Sequence, residues 1–352
     1  MFVSLQEDAG GKFLAIHAHN MCTWRGIYLE SDDFVATAFH VLSIIQTPLN
    51  ILAFYIIIRK TPKTMEKVKF QMLLMHSTSS WLDLNMNLLS CPYIVFSYSF
   101  AGYPMGPLKY LSIPMWFVVY IMIVSFLLLG PPIILFFEER YNRLIRRDAD
   151  TKSRFYKRLL HFLVNYSAGT FSSLPAFQEM PSMEEATAIL FQQFPCFPVA
   201  SFVENPNFFM LSKNAYVLVV CFLCYLLFTL VQLFYFFIKV SNYLHNIKAQ
   251  SRRTSDLQKK FFKALCIQAL VPILLVAIPC FYLNISTVIG YFDMALCNIC
   301  IVWIFSHGFI STITMLCVHD AYRKSTVEIL KFWKWKSAKV ETSNSGSVVV
   351  RF

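Results

Sequence analysis

Long apolar runs separated by short polar and basic segments dominate the pattern of hydrophobic and polar positions along this chain. A helix needs about 20 apolar residues to cross the hydrocarbon core of a bilayer. Seven stretches meet this requirement, and we number the membrane spans they predict from one to seven. Their expected bounds are Phe34–Ile58, Phe70–Phe96, Tyr110–Phe137, Leu159–Phe177, Tyr216–Ile238, Phe261–Leu283 and Met294–Val318.

The composition supports a membrane protein. Hydrophobic residues make up 57% of the 352 residues and charged residues 14%. Soluble domains average about 45–50% apolar and about 25% charged residues. The excess of apolar side chains is too large for one buried core and has to face lipid. We therefore predict an all-α membrane protein, built as a bundle of seven transmembrane helices with membrane lipids as partners.

The basic residues predict the orientation of the chain. Of the 31 Lys and Arg residues, 27 lie between spans one and two, three and four, or five and six, or after span seven. Positive residues mark cytoplasmic segments, so the N-terminus is expected outside and the C-terminus in the cytosol. The net charge of +11 therefore belongs to membrane loops, and we expect no nucleic-acid partner.

Four regions follow from this topology. Residues 1–33 form an extracellular segment, and residues 34–318 form the seven-span domain. Residues 319–336 suit an amphipathic helix on the inner leaflet, with a disordered basic tail as the alternative. Residues 337–352 are expected to be disordered. In the second outer loop, MPSMEEATAILFQQF predicts a short surface helix.

A polar stripe lies on span two. His76, Ser80, Asp83 and Asn87 are spaced so that they share one helix face, which should point into the bundle. Polar groups inside lipid are expensive, so they are informative. One interpretation is a hydrated or ion-binding network that differs between two conformations. The other is a static polar contact between helices.

The inner end of span three reads Glu138-Glu139-Arg140-Tyr141. An acid next to an Arg at a helix end can hold a cytosolic surface closed through a charged hydrogen-bonded pair, whose release exposes that surface. The alternative is an Arg that extends to the membrane interface without a switching role.

The outer segments contain two candidate modifications. Cys22 and Cys196 lie in the oxidising compartment, where a disulfide would join the N-terminal segment to the second outer loop. Unpaired thiols, or pairing with Cys91 or Cys280, are alternatives. Asn284-Ile285-Ser286 is a glycosylation sequon at the outer end of span six, although its closeness to the membrane could leave it unmodified.

Motifs of catalysis are absent from the sequence. It has no H-E-x-x-H, no G-x-S-x-G and no P-loop, so we expect no enzyme activity, no cofactor and no metal.

Six segments, in order along nearly the whole chain, resemble one known family. They are RKTPKTMEKVKF after span one, SYSFAGYPMG after span two, FEERYNRL after span three, FPCFP in the second outer loop, QKKFFKALCIQALVPILLVAIP at span six and SHGFISTITMLCVHDAYR closing span seven. Together they resemble the nematode serpentine chemoreceptors of class H (Srh), with class I (Sri) as a near neighbour. The resemblance implies the rhodopsin-like fold of G-protein-coupled receptors.

The resemblance also implies roles for single residues. Glu139-Arg140-Tyr141 matches the acid-Arg-Tyr switch of rhodopsin-like receptors. The start of span three, YLSIPMW, lacks the Cys that those receptors bridge to the second outer loop, and the nematode family supports a Cys22–Cys196 pair instead. Span seven lacks N-P-x-x-Y and ends in HDAYR, so its part in activation is left open.

The function implied is that of a chemosensory G-protein-coupled receptor in the plasma membrane of sensory neurons, in their cilia. A small environmental chemical would bind between the helices under the second outer loop. Pro272 and Pro279 make span six a plausible hinge, whose movement would open a site for a heterotrimeric G protein. A seven-span ligand-gated channel or transporter is the alternative, and it would show repeated halves or a charged pathway. The sequence does not identify the ligand-binding residues.

Overall fold

The computed structural model describes residues 22–96, 100–178, 180–194, 196–213, 215–246, 252–289 and 291–331. Spans one, two, four, five and six contain Asp32–Lys60, Glu66–Leu84, Lys152–Phe171, Ala215–Asn246 and Arg252–Ile289. Spans three and seven each contain two helices, Met115–Leu127 with Gly130–Ile145 and Met294–Phe305 with His307–Val318. Short 3₁₀ helices cover Tyr28–Glu30, Lys63–Met65, Pro107–Tyr110 and Leu174–Phe177.

Five spans are long and apolar enough, by length and composition, to cross a membrane when the described residues are considered. They are spans one, three, five, six and seven. Span two falls short because it carries the polar stripe. Span four falls short because Lys152, Arg154, Lys157 and Arg158 occupy its first two turns.

The C-terminal end of span two differs from the prediction. We expected the helix to continue to Phe96, but its last turn is a π-helix over Asn85–Ser90. Cys91 then adopts a left-handed conformation with φ of 43°, and the chain continues as a strand. Pro92 has no backbone N–H and cannot extend the helix, so the apolar run is shared between two kinds of structure.

The expected start of span three and the expected end of span four were also wrong. Span three begins at Met115, immediately after Pro114, and not at Tyr110. Span four ends at Phe171, and the residues up to Phe177 form a separate 3₁₀ turn.

Two small sheets close one end of the bundle, which we call the sheet end. The strands Pro92–Phe96, Phe100–Pro104 and Phe209–Ser212 form an antiparallel sheet. Cys22–Thr23 pairs in parallel with Phe292–Asp293. The helices Met183–Gln193 and Val199–Val203 also lie at the sheet end. The first of them falls within the predicted surface helix.

The opposite end, which we call the charged end, carries the start of span four and a helix over residues 320–331. Tyr322 on this helix is fully buried, and its hydroxyl lies 3.0 Å from the Thr61 hydroxyl and 3.4 Å from the Met72 sulfur. This contact ties the helix to spans one and two. Residues 332–336 and the predicted disordered tail lie outside the described residues.

A proline explains the break in the helix of span three. Pro131 lacks the N–H that would reach back four residues to the carbonyl of Leu127. The Tyr225 hydroxyl of span five donates to that carbonyl at 2.7 Å. A neighbouring span thus satisfies the freed backbone group, as a bilayer requires.

Candidate functional site

A polar cluster joins spans one, two and seven around Asp83. Asn50 donates through Nδ2 to Asp83 Oδ2 at 3.2 Å and accepts from the Thr312 hydroxyl at 3.2 Å. His76 Nε2 donates to the carbonyl of Asn50 at 3.1 Å. Asp83 is 5% exposed, and its Oδ1 has no partner among the described residues. The cluster therefore leaves one buried carboxylate oxygen unused.

The break in span seven lies against the same cluster. The Phe305 carbonyl accepts from both Asn87 Nδ2 and Gln46 Nε2 at 3.3 Å. Asn87 Nδ2 also donates to Gln46 Oε1 at 2.7 Å. On the next turn, a Cβ built on Gly308 would overlap the Asp83 carboxylate. Side chains of spans one and two thus satisfy the interrupted backbone, and only a glycine fits beside Asp83.

The structure brings together most of the predicted stripe. His76, Asp83 and Asn87 are buried and bonded within the cluster, whereas the Ser80 hydroxyl is buried without a hydrogen bond among the described residues. Their partners Gln46, Asn50 and Thr312 were missed. Each is a polar residue inside an otherwise apolar span, and that is the signal that would have found it.

A cavity of about 390 Å³ lies between spans two, three, five, six and seven, and the sheet contributes Phe96 and Phe100 to its lining. Its walls are mainly Leu, Ile, Val, Met and Phe. None of the described residues that line it is Lys, Arg, Asp or Glu. Pro272 of the predicted hinge belongs to the lining. The cavity suits a small uncharged molecule.

Five charged side chains at the charged end form what we call the arginine–glutamate cluster, namely Glu138, Glu139, Arg143, Arg154 and Arg158. The two carboxylates are 2% and 1% exposed. Glu138 accepts from Arg154 at 2.7 Å and from Arg158 at 2.9 Å. Glu139 accepts from Arg143 at 2.8 Å and also from Arg158. The cluster joins span three to span four.

Arg140 is not part of this cluster. Its guanidinium carbon lies 3.7 Å from the centroid of the Phe261 ring of span six, and its Nε has no hydrogen-bond partner among the described residues. His319 also contacts Phe261, with their ring centroids 5.6 Å apart. Its Nε2 lies 2.8 Å from Gln268 Oε1 of the same span six. Arg140 therefore contacts span six through an aromatic ring.

This arrangement corrects the expected partner of the acid. We predicted that an acid beside Arg140 holds the end of span three closed, but Arg143 and Arg158 bond Glu139 instead. Arginines of span four bond the buried carboxylates. Because Glu138 and Glu139 are bonded by other arginines, Arg140 contacts span six instead. Tyr141 packs against span five, with its ring 5.5 Å from Phe236.

At the sheet end, Arg25 joins the N-terminal segment to span seven. Its guanidinium bonds Glu30 at 3.0 Å and Asp293 at 2.9 Å. Burial alone would raise the pKa of Glu30, but hydrogen bonds from the Arg25 backbone and side chain outweigh it and lower that pKa. The Glu30 carboxylate therefore stays charged, and its contact persists until the pH falls through this lowered value.

Cys196 is disulfide-bonded, and Cys91 and Cys280, the competing candidates, are free thiols. The side chain of Cys22 lies outside the described part of the chain, so its pairing with Cys196 stays a prediction.

Asn284 lies within the helix of span six, where its amide donates to the Cys280 carbonyl at 2.7 Å and lines the cavity. This placement weighs against glycosylation, which needs a sequon on an accessible loop.

Residues 30–332 match the family model described as serpentine type 7TM GPCR chemoreceptor Srh. The chain belongs to the Srh family. Its match to a relative agrees, because "Serpentine receptor class H-72" of Caenorhabditis elegans is 23% identical over 311 residues, which cover 84% of this chain and 85% of the relative. The resemblance to class H inferred from the six segments is confirmed.

A solved structure supports the fold of this Srh chain. The crystal structure of squid rhodopsin superposes with a TM-score of 0.53 at 10% identity, over 93% of this chain and 94% of the rhodopsin chain. At this identity the likeness concerns the fold alone. The predicted seven-helix membrane bundle is confirmed, with the sheet end as an addition, and the orientation of its termini stays a prediction.

Gly308→Ala is expected to destabilise this Srh receptor because the added Cβ overlaps the Asp83 carboxylate. Overpacking a tight site costs about 1–3 kcal/mol, so the thermal midpoint of the purified receptor should fall. Gly169→Ala is the milder control, because its Cβ would meet the ends of two side chains, Leu128 at 3.1 Å and Tyr225 at 3.2 Å, and would overlap neither. Adding Asp83→Ala to Gly308→Ala should restore stability, and equal midpoints for the two glycine variants would contradict the packing argument.

Cys22→Ser and Cys196→Ser are expected to reduce stability equally, and the double variant should be no worse than either. Removing a disulfide costs about 2–5 kcal/mol in small secreted domains, where the constraint on the unfolded chain is lost. Thermal unfolding of the three variants measures this. Additive losses would show that Cys22 and Cys196 do not bond each other.

Proposed function

We propose that this chain is a chemosensory receptor that binds a small environmental chemical from the extracellular side and activates a heterotrimeric G protein. The observation that carries the proposal is the apolar cavity in the middle of the bundle, which shares span six with the Arg140 contact. Gln268 and Pro272 line the cavity, while Phe261 of the same helix lies over Arg140. One helix therefore contacts both the ligand and the switch residue.

The proposed orientation sets the sheet end outside the cell and the charged end in the cytosol. The basic side chains at the starts of spans four and six favour it. In this orientation the ligand enters beneath the second outer loop, and the basic inner loops face the G protein. The proposed location is the plasma membrane of sensory neurons, in their cilia.

Activation would follow from a difference in affinity between two conformations. A ligand that binds one arrangement of span six more tightly shifts the receptor toward it, and a few kcal/mol are sufficient. The prolines at 272 and 279 remove backbone hydrogen bonds inside this helix and so lower its resistance to bending. Movement of Phe261 away from Arg140 would free the guanidinium to contact the G protein.

The polar cluster around Asp83 also has a role in the proposed activation. It joins spans one and two to the break in span seven, and its unused carboxylate oxygen favours the interpretation of a hydrated or ion-binding network. A static contact remains the alternative. Asp83→Asn distinguishes them, because a network that differs between conformations would change the ligand concentration needed for signalling, whereas a static contact would change stability alone.

The experiment that tests the proposal is expression of the chain in cells with a calcium or cAMP reporter, challenged with a broad set of volatile and water-borne chemicals. A reporter response that needs both the receptor and a G protein supports the proposal. A response that persists when the G proteins are removed would instead support a ligand-gated channel.

A further inference from the structure

Polar residues from four spans interrupt the apolar lining of the cavity, among them Tyr225, Asn284 and Ser311. Four others are Ser79 of span two, Thr229 of span five, Gln268 of span six and His307 of span seven. The lining contributed by the sheet, Ile94, Phe96 and Phe100, is apolar. The cavity thus offers hydrogen-bonding groups within the bundle and an apolar wall at the sheet end.

His307 is held in one orientation. Its Nδ1 lies 2.8 Å from the Ile304 carbonyl, which can only accept, so Nδ1 carries the hydrogen. In a neutral imidazole the other nitrogen, Nε2, is then a bare acceptor. The side chain is 2% exposed, and no acid of the described chain pairs with it, so the neutral form is favoured in this apolar setting.

The Nε2 of His307 has no hydrogen-bond partner among the described residues. The same holds for Nε2 of Gln268, whose Oε1 is already bonded to His319. A buried polar group without a partner costs free energy, and a ligand that supplies the partner recovers it. His307 needs a donor and Gln268 needs an acceptor. A hydroxyl group can donate to the first or accept from the second.

Resting on the proposed function, we propose that the ligands of this receptor are neutral, mainly apolar molecules that carry one hydroxyl group, which donates to His307 Nε2. The absence of charged groups from the described lining excludes ions, because a desolvated charge would be unpaired. The volume of about 390 Å³ lies at the small end of ligand sites, which span about 300–1,000 Å³. Small alcohols fit both conditions.

The test uses the purified full-length receptor and measures its thermal midpoint against a series of probe compounds. The probes are primary and cyclic alcohols of about six to ten carbons, sized to the cavity, each paired with its methyl ether and its parent alkane. We expect the alcohols to raise the midpoint and to bind about tenfold more tightly than the ethers, the difference made by one hydrogen bond. Ethers as effective as alcohols, or no shift with any alcohol, would overturn the proposal.

Three variants locate the effect. His307→Leu removes the acceptor and should make alcohols and ethers bind alike, whereas His307→Gln keeps an acceptor and should retain part of the preference. His40→Gln changes an exposed histidine of span one and should leave the preference intact. An unchanged preference for alcohols in His307→Leu would overturn the assignment to this residue.

Nucleotide exchange on a G protein, measured with the same probes, separates this proposal from the proposed function. Alcohols that bind without stimulating exchange would remove the receptor function and leave the ligand class standing. Exchange stimulated only by compounds without a hydrogen-bond donor would support the receptor function and overturn the proposed ligand class.

Discussion

Replacing Arg140 with Ala is expected to abolish ligand-driven G-protein activation while the amount of receptor at the cell surface changes by less than about twofold. The side chain is half-buried and lies over Phe261, and no acid of the described residues forms an ion pair with it. Its loss therefore leaves no unpaired carboxylate, and the ring contact is worth only about 0.5–2 kcal/mol. Folding should survive a change that removes the proposed G-protein contact.

Two control variants refine this result. Arg140→Lys keeps the charge and loses the planar guanidinium, so it should signal weakly. Phe261→Leu removes the ring and frees Arg140, so it should raise activity without ligand. Second-messenger output and surface antibody labelling measure both properties in the same cells. Unchanged output in Arg140→Ala would contradict the assigned role.

Replacing Arg158 with Ala is expected to have the opposite consequence, a loss of folded receptor. Arg158 bonds Glu138 and Glu139 at once, and both carboxylates are almost fully buried. Without Arg158 each carboxylate keeps a single arginine, Arg154 for Glu138 and Arg143 for Glu139, and each loses a charge-assisted hydrogen bond worth about 1.5–3 kcal/mol. The amount of receptor that reaches the surface, and the thermal midpoint of what can be purified, should both fall strongly.

Arg143→Ala is the matched control. Arg143 bonds one buried acid, Glu139, and the exposed Asp150, and its own side chain is 36% exposed, so its loss should cost about 1 kcal/mol or less. Equal losses for Arg143→Ala and Arg158→Ala would show that burial of the carboxylates does not decide the cost.

Hydrophobic runs were sufficient to predict the bundle, because only lipid accommodates so many apolar side chains. Hydrophobic runs were insufficient to predict where span two ends and the following strand begins. Pro92–Phe96 is apolar and buried whether it is helix or strand, and periodicity does not separate the two over so short a run. The strand pairs with Phe100–Pro104, which in turn pairs with the distant Phe209–Ser212. The local sequence does not predict either pairing.

The candidate site was predictable only in part, for a similar reason. Asp83 and Asn87 stood out as polar groups in an apolar span, but their partners Asn50 and Gln46 come from another span and depend on packing. The basic residues Arg154 and Arg158 were attributed to the orientation of the chain. Their pairing with buried acids appears only when span four lies beside span three.

In the proposed mechanism a small molecule in the cavity drives a G protein through span six. The most direct test reconstitutes the purified receptor in lipid bilayers with a purified heterotrimeric G protein and measures guanine-nucleotide exchange with each probe compound. We expect at least one neutral probe to accelerate exchange with the wild-type receptor and not with Arg140→Ala. A probe-evoked ion current in bilayers that lack the G protein, together with no acceleration of exchange, would contradict the proposed mechanism.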